Sequence, residues 1–367
     1  MRKSMDRSGR GAVCALAALL LPAALSSVLS SAVAAPTPGE SARIPFAERY
    51  HATQHGGIAR AANSSVTCGA PNAPASGQCA AVQQGGSGAN GRYRMAYIDI
   101  DADARTDNSS RAELRLPLGS QVSYARLYWG GNLRAGERRQ AAESGRVLLA
   151  APGGPYQEVH ADTLTGHRTT TRTDGFQASA DVTTAVRDGG PGAYTVGQVN
   201  AAQGNSAAGA WGGWTLVVAY ENAREPLRRL ALWDGFQPLN ANRRALSVNL
   251  KGLRIPPNAR GSAGVLAYNG DRGTGNDSLS AAADEKTPIA LWDGANPAND
   301  VMNSTITDFG RDIPRRPAYR NTLGFDSDVF DLRPALRSGG DRLAFRFTTQ
   351  GAGYLLGALF VQADTGR

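Results

Sequence analysis

The chain has 367 residues, 41% of them hydrophobic, and carries 39 Lys and Arg against 31 Asp and Glu, a formal charge of +8. That is enough chain for two domains of ordinary size. The bases, 36 Arg and 3 Lys, lie scattered among acids instead of forming a run, which argues against a nucleic-acid groove.

The first stretch reads as an address. Arg2, Lys3, Arg7 and Arg10 precede an apolar run from Ala12 to Leu29, broken by Pro22, and Ser31-Ala-Val-Ala34 offers small residues for cleavage. This is the pattern of a secretory signal peptide over residues 1–35. Setting its four bases and one acid aside lowers the formal charge to +5. No later run is long and apolar enough to span a bilayer. The mature chain is therefore expected outside the cytoplasm, secreted or held at the cell envelope, with no transmembrane segment.

Residues 36–90 are rich in Gly, Ala, Pro and Ser and read as a low-complexity segment without a core. Phe46–His55 is its candidate helix, with His51 and His55 one turn apart. Ala52 stands where a zinc-protease helix carries Glu, so the pair reads as two solvated histidines. Cys68 and Cys79 are the cysteines left once the leader is removed. An even count in an exported chain predicts a disulfide between them.

From Tyr93 onward, short apolar or alternating runs are punctuated by Gly and Pro. Tyr93–Asp101, Ala112–Leu116, Val122–Trp129, Arg146–Ala150, Ala193–Val199 and Trp214–Val218 are expected strands. A second series follows: Arg229–Trp233, Ala245–Leu250, Ser262–Tyr268, Ile289–Trp292, Arg342–Thr348 and Tyr354–Val361. No long amphipathic helix interrupts them. Four blocks recur in order: Arg94–Asp99 with Arg229–Asp234, Leu114–Pro117 with Leu253–Pro256, Asp181–Gly190 with Asp331–Gly340, and Gly213–Tyr220 with Gly353–Phe360. Recurrence in register predicts duplication. The expected fold is all-β: two tandem β-sandwich or jelly-roll domains, 91–223 and 226–367, behind the disulfide-stapled segment.

Chemistry is sparser. Asp99, Asp101, Asp103 and Asp107 alternate with small residues and present oxygen ligands at a spacing that suits calcium. Ala104 replaces the Gly that an EF-hand loop needs, and Ser110 stands at the place of its closing Glu. Strand-end carboxylates paired with Arg92, Arg105 or Arg111 are the other reading. Asp326, Asp328 and Asp331 precede the second crossover, where Asp331, like Asp181, is expected to cap. There is no Gly-x-Ser-x-Gly, no His-Glu-x-x-His and no Lys-bearing phosphate loop. Paired carboxylates of an extracellular polysaccharide hydrolase are the enzymatic alternative. Among the tryptophans, Trp214 and Trp233 sit in apolar runs and read as core. Trp211 and Trp292, beside Gly and Asp, are the expected exposed pair, able to stack on sugar rings.

Tyr97–Asp101, Asn108–Ser110, Leu116–Gly119, Ala125-Arg-Leu-Tyr-Trp-Gly-Gly131, Gly213–Tyr220, Asp234-Gly-Phe236 and Asn303-Ser-Thr305 resemble an uncharacterised β-rich module of bacterial exported surface proteins. In that family the module stands ahead of immunoglobulin-like repeats and a sorting tail. The resemblance covers most of residues 90–362. It implies an adhesin-like, non-catalytic binding or structural role toward a glycan, a cell-wall polymer or a surface protein, and it carries no catalytic residues over. Here the chain ends at Arg367, just past the last strand, so release to the medium is the simpler expectation.

Overall fold

Phe46–His55 does not form a helix but opens an 18-residue strand, β1 (Ala47–Ser64). Along it Tyr50, Ala52 and Gln54 are half-buried while His51, Thr53 and His55 face solvent, the period-two alternation of a strand. His51 bonds Glu48, and His55 bonds the carbonyl of Glu225. The computed structural model describes residues 45–73, 77–170, 172–351 and 353–366, apart from the side chains of 165, 167 and 168. The expected signal peptide, residues 1–35, lies outside these, as does the side chain of His167.

The first half of the chain continues with β2 (Val66–Pro71), helix α1 (Cys79–Gln83), β3 (Tyr93–Tyr97), β4 (Ser109–Leu114), β5 (Gln121–Asn132), β6 (Arg146–Ala150) and β7 (Tyr156–His160). It ends with β8 (Thr163–Thr169), β9 (Asp174–Asp181), helix α2 (Thr183–Gly189), β10 (Gly192–Gly197) and β11 (Gly212–Glu221). The second half holds β12 (Leu227–Leu239), β13 (Ala245–Ile255), β14 (Gly261–Tyr268), β15 (Asp277–Ala283), β16 (Ile289–Ala290) and β17 (Thr307–Asp308). It closes with β18 (Arg311–Asp312), β19 (Arg315–Arg316), β20 (Phe325–Asp331), β21 (Gly340–Thr349) and β22 (Tyr354–Asp364).

Each half is an all-β sandwich. The first pairs a sheet β1-β11-β5-β9 with a sheet β4-β10-β6-β7; the second pairs β12-β22-β14-β20 with β13-β21-β15-β16. Taken in chain order, the strands of both halves alternate between their two sheets in the same sequence, that of a jelly roll. The equivalent of β12 in the first half is thus β1, not β3. Arg94–Asp99 and Arg229–Asp234 do not correspond, because β3 pairs with β2 in a separate two-stranded ribbon. A first unit beginning at residue 91 omits its own first strand. The low-complexity segment expected to lack a core contributes to one in its described part, where Ala61, Ala62, Val66 and Cys68 are buried.

The halves are also not separate domains. β1 pairs with β12 through Ala47–His55 and with β11 through Gly56–Ser64, joining both large sheets into one of eleven strands. The switch falls at Gly56, whose φ of +142° favours glycine, and a Cβ there would lie 1.9 Å from the Tyr220 carbonyl oxygen. Short β19 leaves the second half to pair with the edge of β4.

Hydrophobic interiors fill each sandwich and the layer between them, and a smaller cluster with Val66, Cys68, Tyr93 and Met95 lies around the disulfide. Trp129, Leu216 and Trp214 lie inside the first sandwich, and Val265, Phe345 and Leu359 inside the second. A third cluster, with Tyr128, Trp211, Val217, Leu266, Tyr268 and Phe325, lies between the two large sheets. Glycine lets these sheets approach: a Cβ on Gly213 would stand 2.7 Å from Phe325 Cδ2, and one on Gly130 would stand 3.0 Å from the Tyr268 ring. Phe325 meets Tyr268 edge-on at 5.5 Å, and Thr215 bonds Ser327 across the layer at 3.1 Å. Asp234, almost fully buried, accepts both ends of the Arg49 fork at 2.8 and 3.0 Å and the Tyr128 hydroxyl at 2.9 Å.

Candidate functional site

Trp211, expected at the surface, is wholly buried in the layer between the sheets, against Tyr268 at 5.5 Å. The adjacent glycines that suggested a loop instead open strand β11 at Gly212 and allow close packing. Sugar stacking on Trp211 is therefore corrected: its ring has no free face. Trp292 is 63% exposed, as expected, and Trp214 is core, donating from Nε1 to Ser110 at 2.9 Å.

The four aspartates considered for calcium are bonded to protein donors instead. Asp99 accepts from Ser109, Asp101 from Tyr156, Asp103 from both Nε and Nη2 of Arg105, and Asp107 from Arg139 and Gln198. Among the described residues no group of three or more His, Cys, Asp or Glu is placed to hold a metal ion. Hydrogen bonds draw Asp101 below the usual carboxylate range against the opposing effect of burial, the largest single influence on it. The geometry matches strand-end carboxylates, not a cation cage. The Cys68–Cys79 disulfide is formed, tying β2 to α1. Asp181 and Asp331 accept the backbone N–H groups of Thr183 and Arg333, each two residues on.

Two other exposed aromatics are Phe309, 53% exposed, and Trp292. The segments that follow them approach each other: at Gly310, where φ is +74°, a Cβ would stand 3.0 Å from Asp293 Oδ1 and 3.1 Å from the Gly294 nitrogen. Phe309 forms one lip of an open groove of about 600 Å³ where the halves meet. Among its lining are Arg60 of β1, Glu113, Arg115, Tyr220, Phe309 and Arg311.

Charged groups of both signs line the groove. Arg60, its side chain almost entirely buried, donates to the Thr307 carbonyl at 2.6 Å and to Asp308 at 2.9 Å, fixing the floor. Arg115 pairs with Glu113 at 2.9 Å, and Asp312 takes Arg315 at 3.4 Å and Arg320 at 3.1 Å. Arg311 makes no ion pair among the described residues and keeps its guanidinium for solvent or ligand. Glu113, Asp308 and Asp312 each already accept an arginine. A larger depression of about 720 Å³, lined by Phe46, Pro238 and Leu246, carries only Arg243, which is bonded to Gln237 at 2.6 Å.

The carboxylates that burial pushes upward lie elsewhere. Asp277 and Asp328, raised to about 6 and about 7, and Asp326, raised well above its ordinary value by burial, sit beneath the 293–307 loop, and Asp271, raised to about 6, is likewise outside the groove. Sequence reading noted Asp326 and Asp328 only as preceding a turn. Their i, i+2 spacing on a strand was the available signal that they share a face. Nothing in the sequence marked Phe309, because the groove forms only when residues near 58, 115 and 309 come together.

No protein-family model matches the chain, and no curated protein matches it. Among solved structures it is similar to a chain from the atomic structure of Sulfolobus Turreted Icosahedral Virus. Identity is 9%, coverage 69% of this chain and 86% of that one, and the TM-score is 0.23. A score of that size carries no argument.

Proposed function

We propose that this is an exported, adhesin-like binding module, secreted or held at the envelope, which takes an extended glycan or envelope polymer in the groove between its halves. One observation carries the reading: an exposed aromatic side chain, Phe309, lines an open groove that carries both arginines and carboxylates, and a second exposed aromatic, Trp292, lies outside that lining on a segment that approaches Gly310. Sugars are bound in this manner, with flat apolar faces on aromatic rings and hydroxyls on fixed donors and acceptors. Apart from Arg311, the groove charges are held by internal pairs, which gives a preorganised surface. We read the matching strand orders of the two halves as duplication of one ancestral jelly roll. The resemblance to bacterial surface modules and the leader-like first 35 residues support export.

The test is retention of the mature protein on a panel of soluble glycans and purified wall polymers, with product analysis. Wild-type retention lost in Phe309→Ala and Trp292→Ala, with both variants folded, is the expected result. Retention unaffected by both changes would move the site elsewhere. Turnover abolished by one change among Glu113, Asp308 and Asp312 would establish the polysaccharide hydrolase instead.

A further inference from the structure

The two exposed aromatics stand at either end of one irregular segment, residues 293–307, between β16 and β17. Such a loop must satisfy its buried N–H groups without a neighbouring strand. Three buried carboxylates do this. Asp277 accepts from the nitrogens of Val301 and Met302 at 2.7 and 2.9 Å. Asp326 accepts from those of Ser304 and Thr305 at 2.6 and 3.2 Å. Asp328 accepts from the nitrogen and hydroxyl of Thr307 at 2.8 and 2.7 Å, and from the Thr305 hydroxyl. Five backbone donors of the loop thus end on three side chains of β15 and β20, all three at most 7% exposed.

The charges around them are unequal. Arg60 from β1 and Arg315 from β19 act on Asp328, opposed by Asp293 of the loop. Asp326 faces the other two carboxyls, Asp277 and Asp328, while its own Oδ2 is buried with no partner. Asp277 faces Asp300, which itself accepts the nitrogens of Gly273 and Gly275, and Tyr354 of β22 lies near Asp277 and Asp326. No cation acts on Asp326 or Asp277 among these groups. Three full negative charges here would be only partly compensated, whereas neutral carboxyls still accept through their carbonyl oxygens.

We propose that Asp277, Asp326 and Asp328 form a proton-operated latch on the 293–307 loop, holding Trp292 and Phe309 in place in acid and loosening as the medium becomes neutral. Only the consequence for ligand rests on the groove reading; the latch itself does not. Burial favours the protonated carboxyls in the closed loop, and opening returns each to its ordinary range. Closure therefore takes up protons. It is firmest below about pH 4 and weakens up to about pH 6 for Asp277 and about pH 7 for Asp328. Within that window each such carboxyl raises the opening constant about tenfold per pH unit.

Hydrogen exchange on the full mature chain, corrected for intrinsic rates, tests this directly. Between pH 5 and 7 the protection of amides 301–307 should fall by about tenfold per unit or more, while that of β5 and β11 stays level. Asp328→Asn, neutral at every pH, should flatten the fall, with Asp277→Asn as the second variant should the first not fold. Loop protection that is independent of pH, or an unchanged slope in a folded variant, overturns the latch. Retention on the glycan panel is scored separately, so a failure of binding counts against the groove while the exchange result decides the latch.

Discussion

Removing the Phe325 ring distinguishes one shared body from two tandem domains. Phe325 is wholly buried between the large sheets, edge-on to Tyr268 and against Gly213 of the other half. Phe325→Ala leaves a cavity whose walls belong to both halves, and buried Phe→Ala changes cost about 3–5 kcal/mol. For the roughly 330-residue compact unit, an unfolding entropy of about 2.1 cal/mol/K per residue gives about 0.7 kcal/mol/K. The expected fall in melting temperature is therefore about 4–7 °C, as displacement of one calorimetric transition. Because β1 is paired to both halves, melting of either one strips pairing from β1 and exposes a strand edge of the other, which couples the two. Two resolved transitions, with one unmoved by the substitution, would refute the shared-sheet account. A loss under about 1 kcal/mol would refute the packing account.

Trp214→Ala should cost a similar ~3–5 kcal/mol in denaturant unfolding, and Trp214→Phe less, since Phe keeps most of the apolar volume while losing the bond to Ser110. Replacing both Cys68 and Cys79 by Ser should lower stability by ~2–3 kcal/mol on the loop-entropy model, read as a lower urea midpoint, because eleven residues of separation close only a small loop. Phe309→Ala should leave the urea midpoint within about 0.5 kcal/mol of wild type, as befits an exposed side chain. Asp271 is pushed up to about 6 by burial, so its contribution is fully present below about pH 4 and is lost as pH rises through about 6; Asp271→Asn should reduce the decline in melting temperature over that range.

Sequence reading reached the fold class because period-two runs between Gly and Pro turns are local properties. Trp214–Val218 is apolar but for Thr215, and β11 is indeed covered on both faces. It failed at β1. There His51 and His55 invited a helical reading, and the alternation of Tyr50, Ala52 and Gln54 is weakly apolar because these side chains are only half-buried. Trp211 failed for a related reason. Its glycine neighbours look like a loop in one dimension, but in three they admit a second sheet. The groove was illegible because its parts stand more than fifty residues apart in sequence and share no composition. The buried aspartates were visible as residues, but what they hold is a backbone loop, and backbone donors carry no sequence signature.

The double pairing of β1 also sets an order of events during synthesis. Gly56 pairs with Glu221 and Ala47 with Asp234, separations of 165 and 187 residues. At about 5–20 residues per second, roughly 8–30 s pass between the appearance of β1 and that of its first large-sheet partner. Throughout that interval β1 lacks both of its large-sheet partners, a state prone to pairing with other chains. β1 precedes both of its large-sheet partners by well over a hundred residues, so folding is governed by distant contacts and should be slow. A chain crossing a membrane unfolded gains from that delay, and one released early into a crowded cytoplasm would be exposed by it.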